Sequence, residues 1–106
     1  MSNVQFEAVT AQAVANVYFD GKVVSHTILF ADGTKKTLGL IFQGSFRFDT
    51  GAPEIMQMTA GTARVRIAGE TGFKTYEAGQ SFNVPANSSF EIAVDSGIAQ
   101  YVCHFG

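Results

Sequence analysis

Short apolar runs, each closed by turn residues, recur along the whole chain. Runs rich in Val, Ile, Phe and Tyr are separated by Gly, Pro, Asn and Asp, and a spacing of roughly 8–12 residues per strand and turn is typical of antiparallel sandwiches and barrels. Apolar and polar side chains alternate within the runs. In ARVRIAG, we expect Val65 and Ile67 to face the core and Arg64 and Arg66 to face water. The pattern therefore predicts an all-β protein.

The beginning of the chain is less regular. The stretch EAVTAQAVANV fits either a short helix or an edge strand, and its pattern does not decide between them. We treat residues 1–15 as an N-terminal extension of unassigned role and residues 16–106 as one barrel domain.

Composition narrows the range of functions. The chain has 106 residues, of which 46% are hydrophobic and 15% charged, and its net charge of −2 offers no basic stripe for nucleic acid. No apolar run is long enough to span a bilayer, and no basic, apolar signal segment opens the chain, so we expect a cytoplasmic protein without a membrane partner. The single cysteine, Cys103, lies in the apolar run QYVCHF, which favours a buried, unreactive thiol.

Two segments stand out as a pair of motifs. In EAGQSFNVPANSSFE, Gly79 permits a positive φ before the strand SFNV, and Pro85 ends that strand. The other segment, EIMQMTAG, precedes it in the chain, beginning at Glu54 and ending at Gly61. Together they resemble the two signature motifs of the cupin barrels, and that resemblance implies a single double-stranded β-helix, the jelly-roll barrel.

The resemblance also implies four ligand positions for a divalent metal, and most of them have changed. Cupins usually supply a His-x-His pair and a Glu from the first motif and one more His from the second. Glu54 occupies the Glu position, but the last His position holds Phe90. His26 and His104 lie outside both motifs and fit no ligand spacing. We therefore predict a barrel without a metal.

The His-x-His pair falls on Arg47 and Asp49 or on Phe48 and Thr50, because the motif allows three or four residues before the Glu. Alternation in FRFDT places the large aromatic side chains inward, which favours Phe48 and Thr50. The same alternation directs further side chains inward, namely Glu54, Met56, Met58, Phe90, Ile92, Val94, Tyr101, Cys103 and Phe105. We expect an apolar, aromatic cavity with one carboxylate and one or two hydroxyls, which suits a flat organic ring.

A narrower resemblance covers nearly the whole chain, from about Asn16 to Phe105. The segments NVYFDGKVVSH, GLIFQGSFRFDTGAPEIMQMTAG, YEAGQSFNVPANSSFEI and QYVCHF resemble the small cupin-type pyrimidine/purine nucleoside phosphorylases. That resemblance implies a pentosyltransferase that converts a nucleoside and phosphate into a free base and α-D-ribose 1-phosphate. It also implies broad tolerance of purine and pyrimidine bases, with no metal or organic cofactor.

The chemistry of that reaction assigns roles to the candidate residues. Glu54 would stabilise the oxocarbenium-like sugar or hold its hydroxyls, and Thr50 would add a hydroxyl donor. Stacking accepts any ring, so a slot made of apolar side chains would tolerate many bases; its candidates are Phe48, Met56, Phe90 and Tyr101. Phosphate needs fixed cationic donors, for which the candidates are Lys22, Arg47 and His104.

Two other functions stay open on the sequence alone. One is a sensor or binding module that takes a small molecule without turning it over, and the other is a metal-dependent cupin enzyme, against which the missing histidines argue. Barrels of this size leave apolar edge strands, so we expect a homodimer.

Overall fold

The computed structural model describes residues 4–106, and within that range the chain is built from strands. Helical structure there is limited to one 3₁₀ turn at Phe19–Gly21. No helix in the described part of the chain is long and apolar enough to cross a membrane. The strands, in chain order, are β1 Thr10–Ala11, β2 Asn16–Tyr18, β3 Val23–Leu29, β4 Lys35–Ile41, β5 Gly44–Asp49, β6 Glu54–Ala60, β7 Thr62–Ile67, β8 Lys74–Glu77, β9 Ser81–Val84, β10 Ser89–Val94 and β11 Ala99–Phe105.

The strands form two antiparallel sheets, which we call sheet A and sheet B. Sheet A has the order β1-β3-β4-β11-β6-β9, with β2 also paired to β3, and sheet B has the order β5-β10-β7-β8. Strands that follow one another in the chain, such as β4 and β5 or β9 and β10, often lie in different sheets. This crossing between two packed sheets is the jelly-roll arrangement, so the predicted fold class is confirmed.

The alternation predicted from the sequence is also confirmed. On β7, Val65 is buried while Arg64 forms an ion pair with Asp95 and Arg66 forms one with Glu91. The side chains of β5, β6 and β10 that we expected to point inward are buried or half-buried, and the residues between them are mostly more exposed. Because alternate side chains of a strand point to opposite faces, each sheet has one inner face that buries apolar side chains.

One end of the barrel is closed by small and branched side chains. Val23, Ile41 and Ala99 occupy neighbouring positions on β3, β4 and β11, and each is 0% exposed. The opposite end, where Lys35, Glu54 and Phe105 lie, is more open. The strands of sheet A therefore run from a sealed end to an open one, and this direction decides where a ligand can enter.

Aromatic side chains close the two long edges between the sheets. The ring of Phe19, in the 3₁₀ turn beside β3, lies 5.0 Å from that of Phe46 and 5.4 Å from that of Phe48 on β5. At the other edge Tyr76 of β8 lies 5.0 Å from Phe82 of β9. Phe19 has a φ of 52°, which is unfavourable for a bulky residue. Its packing against β5 compensates for that strain.

The described part of the N-terminal extension is attached to sheet A. Thr10 and Ala11 pair with Leu29 and Ile28 of β3, so this part of EAVTAQAVANV forms an edge strand and not a helix. Further towards the N-terminus, the ring of Phe6 packs edge-to-face on that of Phe30. Residues 1–3 of the predicted extension lie outside the described residues.

A polar clamp holds the end of β5 against the loop between β9 and β10. The Thr50 hydroxyl donates to the Pro85 carbonyl at 2.7 Å and accepts from the Ser88 amide at 2.9 Å. The Thr50 amide donates to the Ser88 carbonyl at 2.9 Å, and the Asn87 amide donates to the Gly51 carbonyl at 3.0 Å. Gly79 opens the same segment with a φ of 91°, as its sequence predicts. This clamp ties the two motif segments together.

We expect Thr50→Val to destabilise the protein. Valine keeps the shape of the side chain but leaves the Pro85 carbonyl and the Ser88 amide without their partner, which costs about 1–3 kcal/mol of unfolding free energy. Urea unfolding followed by tyrosine fluorescence measures this loss. Thr75→Val, on an exposed position of β8, is the control and should change the unfolding free energy little. Equal stability of the Thr50 variant and the wild type would contradict the clamp.

Candidate active site

A cavity of about 220 Å³ opens between the sheets towards the more open end of the barrel. Sheet A lines one side of it with polar side chains, which we call the polar wall, and sheet B lines the other side with aromatic rings, which we call the aromatic wall. Its lining comprises Tyr18, Ser25, Thr37, Ile41, Phe48, Asp49, Glu54, Met56, Phe90, Tyr101, Cys103 and Phe105.

The polar wall follows from the register of four neighbouring strands. Tyr101 of β11 lies opposite Gly39 of β4, which in turn lies opposite Ser25 of β3. Two residues towards the open end, Cys103 lies between Thr37 and Met56. These side chains share the inner face because residues two apart on a strand point the same way. The sheet thus presents a row of hydroxyl and thiol groups to the cavity.

The aromatic wall is a pair of stacked rings. Phe48 of β5 and Phe90 of β10 are cross-strand partners, and their rings lie 5.4 Å apart at an interplanar angle of 21°. Phe82 meets the Phe90 ring edge-on at 5.6 Å and supports it from behind. Neighbouring positions on paired strands hold their side chains close enough for such contacts. The result is an apolar, aromatic lining on the sheet B side of the cavity.

Glu54 is the carboxylate that the sequence places in the cavity, and it stands at the open end. It pairs in register with Phe105 of β11 and is half-buried. Burial raises the pKa of the Glu54 carboxyl group, and a hydrogen bond with the Cys103 thiol opposes that rise. Burial and the neighbouring Glu54 charge in turn raise the pKa of Cys103. The cysteine is therefore buried, as predicted, and its thiol stays protonated.

Five of the nine predicted site residues meet in this cavity. They are Phe48, Glu54, Met56, Phe90 and Tyr101. The sixth, Thr50, is on the predicted inward face and is buried, but it lies outside the cavity lining. Both hydrogen-bonding functions of its hydroxyl are engaged in the clamp, so it has a structural role in this conformation.

The three cations predicted for phosphate binding do not line the cavity. Lys22 lies beyond the closed end, near Phe42 and Ile98. Arg47 is exposed on the outer face of sheet B, where its guanidinium lies 3.5 Å from the Asp49 carboxylate. The geometry gives neither of them access to a ligand in the cavity.

His104 faces the outer side of sheet A, as the alternation of β11 requires. Its Nε2 donates to the Gln57 Oε1 at 2.8 Å. Burial lowers the pKa of His104, and the positive charge of Lys36 lowers it further. A neutral imidazole on the outer face has no access to the cavity as a cationic phosphate ligand.

Sequence reasoning missed the cation that lies nearest the cavity. The Lys35 Nζ lies over the ring of Phe105 at 5.2 Å, at the open end, and its charge acts on Cys103. Its neighbour Lys36 lies over Phe30, on the outer face. Alternation along β4 separates the two lysines, but this strand begins directly after a turn, where the pattern is too short to show a face. Ser25 and Thr37 were missed for a similar reason.

Most of the positions that hold metal-binding histidines in cupins are occupied here by other residue types. Two of them, Phe48 and Phe90, form the stacked pair, and Glu54 keeps a carboxylate. Within residues 4–106, no three His, Cys, Asp or Glu side chains come together as a group able to hold a metal ion. The side chains at the cavity are suited to bind an organic ring beside a carboxylate.

A family model described as "Pyrimidine/purine nucleoside phosphorylase" matches residues 13–105. A protein of that name from Cupriavidus pinatubonensis is 59% identical over 102 residues, which cover 96% of this chain and 96% of the relative. Another, from Thiobacillus denitrificans, is 60% identical over 102 residues and covers 96% of this chain and 98% of its own. The residues that the family model matches include both motif segments and all of the cavity lining.

Solved structures agree on the fold. A crystal structure of a protein of unknown function from Acinetobacter sp. ADP1 has a TM-score of 0.93 at 47% identity, covering 96% of this chain and 98% of that one. A cupin superfamily protein from Desulfitobacterium hafniense has a TM-score of 0.64 at 14% identity, covering 78% of this chain and 76% of that one. The second likeness supports the cupin barrel alone.

We expect Glu54→Gln to become increasingly stabilising, relative to the wild type, as the pH rises. The pKa of Glu54 is higher in the folded than in the unfolded state, so the wild type loses stability as the pH rises from the unfolded towards the folded pKa. Glutamine does not ionise and escapes this loss. Urea unfolding of both proteins at several values between about pH 4 and about pH 8 measures the difference.

The control is Glu77→Gln, on an exposed position of β8. A stability difference between Glu54→Gln and the wild type that is constant with pH, or that shrinks as the pH rises, would show that burial does not disfavour the Glu54 carboxylate.

Proposed function

The chain belongs to the pyrimidine/purine nucleoside phosphorylase family, and we propose that it cleaves the N-glycosidic bond of nucleosides with phosphate. The products are a free purine or pyrimidine base and α-D-ribose 1-phosphate. The observation that carries the proposal is the cavity between the two sheets. Stacked aromatic rings line one side of it, hydroxyl groups line the other, and the half-buried Glu54 lies at its open end. The reaction needs neither a metal nor an organic cofactor.

The aromatic wall is the site for the base. The Phe48 and Phe90 rings stack on each other at 5.4 Å and line the cavity together with Met56. An aromatic side chain can stack on any nucleobase, because every nucleobase is itself a flat aromatic ring. An apolar surface also discriminates weakly between rings of different size. These properties support broad tolerance of purines and pyrimidines.

Glu54 is the group for the sugar. Breaking the bond between the base and C1′ leaves positive charge on the ribose ring, and a carboxylate nearby stabilises that charge, as in glycoside hydrolysis. Glu54 stands at the open end, beside Phe105, where a ribose would lie when its base is between the walls. This step needs no general base to abstract a proton, so a carboxylate that only stabilises the positive charge is sufficient.

Phosphate would then approach from the open end, on the solvent side of the ribose. Lys35 is placed for this role, because its Nζ lies over the Phe105 ring at the cavity rim. A flexible ammonium group with three donors is well suited to hold a phosphate oxygen. We propose Lys35 in place of the three cations predicted from the sequence.

We also propose a homodimer, because sheet A carries exposed apolar side chains. Leu38 of β4 and Ile55 of β6 are 38% and 46% exposed, on the two strands that flank β11 in sheet A. Covering such side chains is a common reason for pairing of barrels.

Purified protein should release base from uridine and from adenosine only when phosphate is present. Chromatography of the free base, with an assay for ribose 1-phosphate, measures the reaction, and prior treatment with a chelator should not change the rate. Glu54→Ala should lower kcat by about a hundredfold or more, because the sugar cation loses its counter-charge. Binding of nucleoside without turnover would favour a binding module, and base release without phosphate would indicate a hydrolase.

Lys35→Gln should raise the KM for phosphate by about five- to tenfold, the range of one charge-assisted contact, and should leave the KM for uridine almost unchanged. Lys36→Gln is the matched control. It removes the same charge from the next residue but on the outer face, so bulk electrostatic effects are equal in the two variants. Equal phosphate KM values for the two variants would remove Lys35 from the phosphate site.

A further inference from the structure

The Tyr101 hydroxyl lies deep in the cavity, over the backbone of a glycine. A Cβ atom at position 39 would be 2.2 Å from the Tyr101 Cζ and 2.5 Å from its hydroxyl oxygen. The phenol can therefore lie flat across β4 only because residue 39 is glycine. This brings its oxygen towards Ser25, the partner of Gly39 on the far side. Both Ser25 and Tyr101 line the cavity, although they are only 3% and 8% exposed.

Asn16 donates to the hydroxyl groups in this corner and favours one direction of their hydrogen bonds. Its Nδ2 donates to the Ser25 Oγ at 3.2 Å and to the Thr27 Oγ1 at 3.1 Å. An amide nitrogen can only donate, so the Ser25 oxygen accepts and its own proton is available for the neighbouring Tyr101 oxygen. When Ser25 donates to Tyr101, the Tyr101 proton is left free to point into the cavity that both side chains line. Burial raises the pKa of Tyr101, which keeps this proton in place.

Pyrimidines and purines share one acceptor next to the glycosidic bond. In a pyrimidine nucleoside it is O2 and in a purine nucleoside it is N3, and each is bonded to a ring atom that adjoins the glycosidic nitrogen. As the bond breaks, its electron pair stays with the base, and part of the negative charge appears on that acceptor. A single donor aimed at this position would stabilise either class of leaving base.

We propose that the Tyr101 hydroxyl, oriented by Asn16 and Ser25, donates to pyrimidine O2 or purine N3 and so stabilises the departing base. This inference rests on the proposed function and adds to it the contact through which one site serves both classes of base. Tyr101 is the catalytic residue in this proposal, and Asn16 and Ser25 are positioning residues.

Positions along β11 agree with this assignment. Tyr101 is four residues from Phe105, the partner of Glu54, so the two levels of the cavity are roughly 13 Å apart along the strand. A base held near Tyr101, a ribose near Glu54 and a phosphate near Lys35 would follow one another from the closed end to the open end. The glycosidic bond would lie between the two levels, within reach of both side chains.

The proton balance of the reaction needs no acid from Tyr101. An oxygen of hydrogen phosphate forms the bond to C1′ while the bond from C1′ to the base nitrogen breaks. The electron pair of the broken bond leaves with the base, and the proton of hydrogen phosphate ends on the base directly or through water. Tyr101 keeps its proton throughout and contributes a hydrogen bond that strengthens as charge develops.

The test is a cycle that combines Tyr101→Phe with a substrate lacking the acceptor. In 3-deazaadenosine a C–H group replaces N3, whereas 7-deazaadenosine keeps N3 and controls for replacing a ring nitrogen. Phosphorolysis rates are measured for wild type and variant with adenosine, uridine and both analogues. We expect Tyr101→Phe to lower kcat/KM on the order of a hundredfold for the three substrates that keep the acceptor, but less than about threefold for 3-deazaadenosine.

Ser25→Ala and Asn16→Ala provide a second test that does not alter the phenol. Both should slow adenosine and uridine more than 3-deazaadenosine, a selectivity that general loosening of the fold would not produce. An equal loss for all four substrates, in Tyr101→Phe or in the two positioning variants, overturns the proposal. Wild-type protein that releases no base in the presence of phosphate overturns the proposed function itself, so the two failures are distinct.

Discussion

Polar groups on the inner faces of the two sheets must find partners inside the barrel, and this requirement connects the fold to the cavity. A buried hydroxyl without a partner is costly, and within residues 4–106 no buried side-chain nitrogen or oxygen lacks one. Thr50 meets the requirement at the edge of the barrel by joining β5 to the loop before β10. Ser25 meets it through Asn16, which also brings β2 against β3. The bonds that permit polar side chains in the interior also position the strands that form the site.

The aromatic side chains perform the complementary task. Phe19, Phe46 and Phe48 seal one edge of the barrel, and Phe82 and Phe90 continue the contact across its interior. Phe48 and Phe90 belong both to this packing and to the cavity, because both rings are packed against other aromatic rings and both line the space between the sheets. A rigid wall of this kind holds its shape without a ligand. Structural and binding roles therefore coincide in the same rings.

Much of this arrangement could be predicted from the sequence, because period-2 alternation acts locally. FRFDT, EIMQM and FEIAV each contain enough alternating residues to show their inner face, and four of the predicted cavity residues followed from them. The rest depends on contacts between distant strands. Nothing near Gly39 in the sequence shows that Tyr101 will cover it, and nothing near Lys35 shows that Phe105 will lie beneath it. Thr50 was assigned to the site on its direction alone, whereas its hydrogen bonds depend on Pro85 and Ser88, more than 30 residues away.

The loss of the cupin metal ligands changes the electrostatic situation of Glu54. In a metal site a carboxylate at this position faces a divalent cation, but here it faces aromatic rings and a protonated thiol, and burial raises its pKa. On the proposed reaction, a positive charge next to this carboxylate appears only when the glycosidic bond breaks. An interaction that is absent in the ground state and forms in the transition state lowers the barrier without tightening substrate binding. On the proposed function, the presence of Phe90 where cupins have a metal-binding histidine thus does more than provide a surface for the base. Within residues 4–106, no cation is among the groups that shift the pKa of Glu54, and this is the condition under which the proposed sugar cation would gain most from the carboxylate.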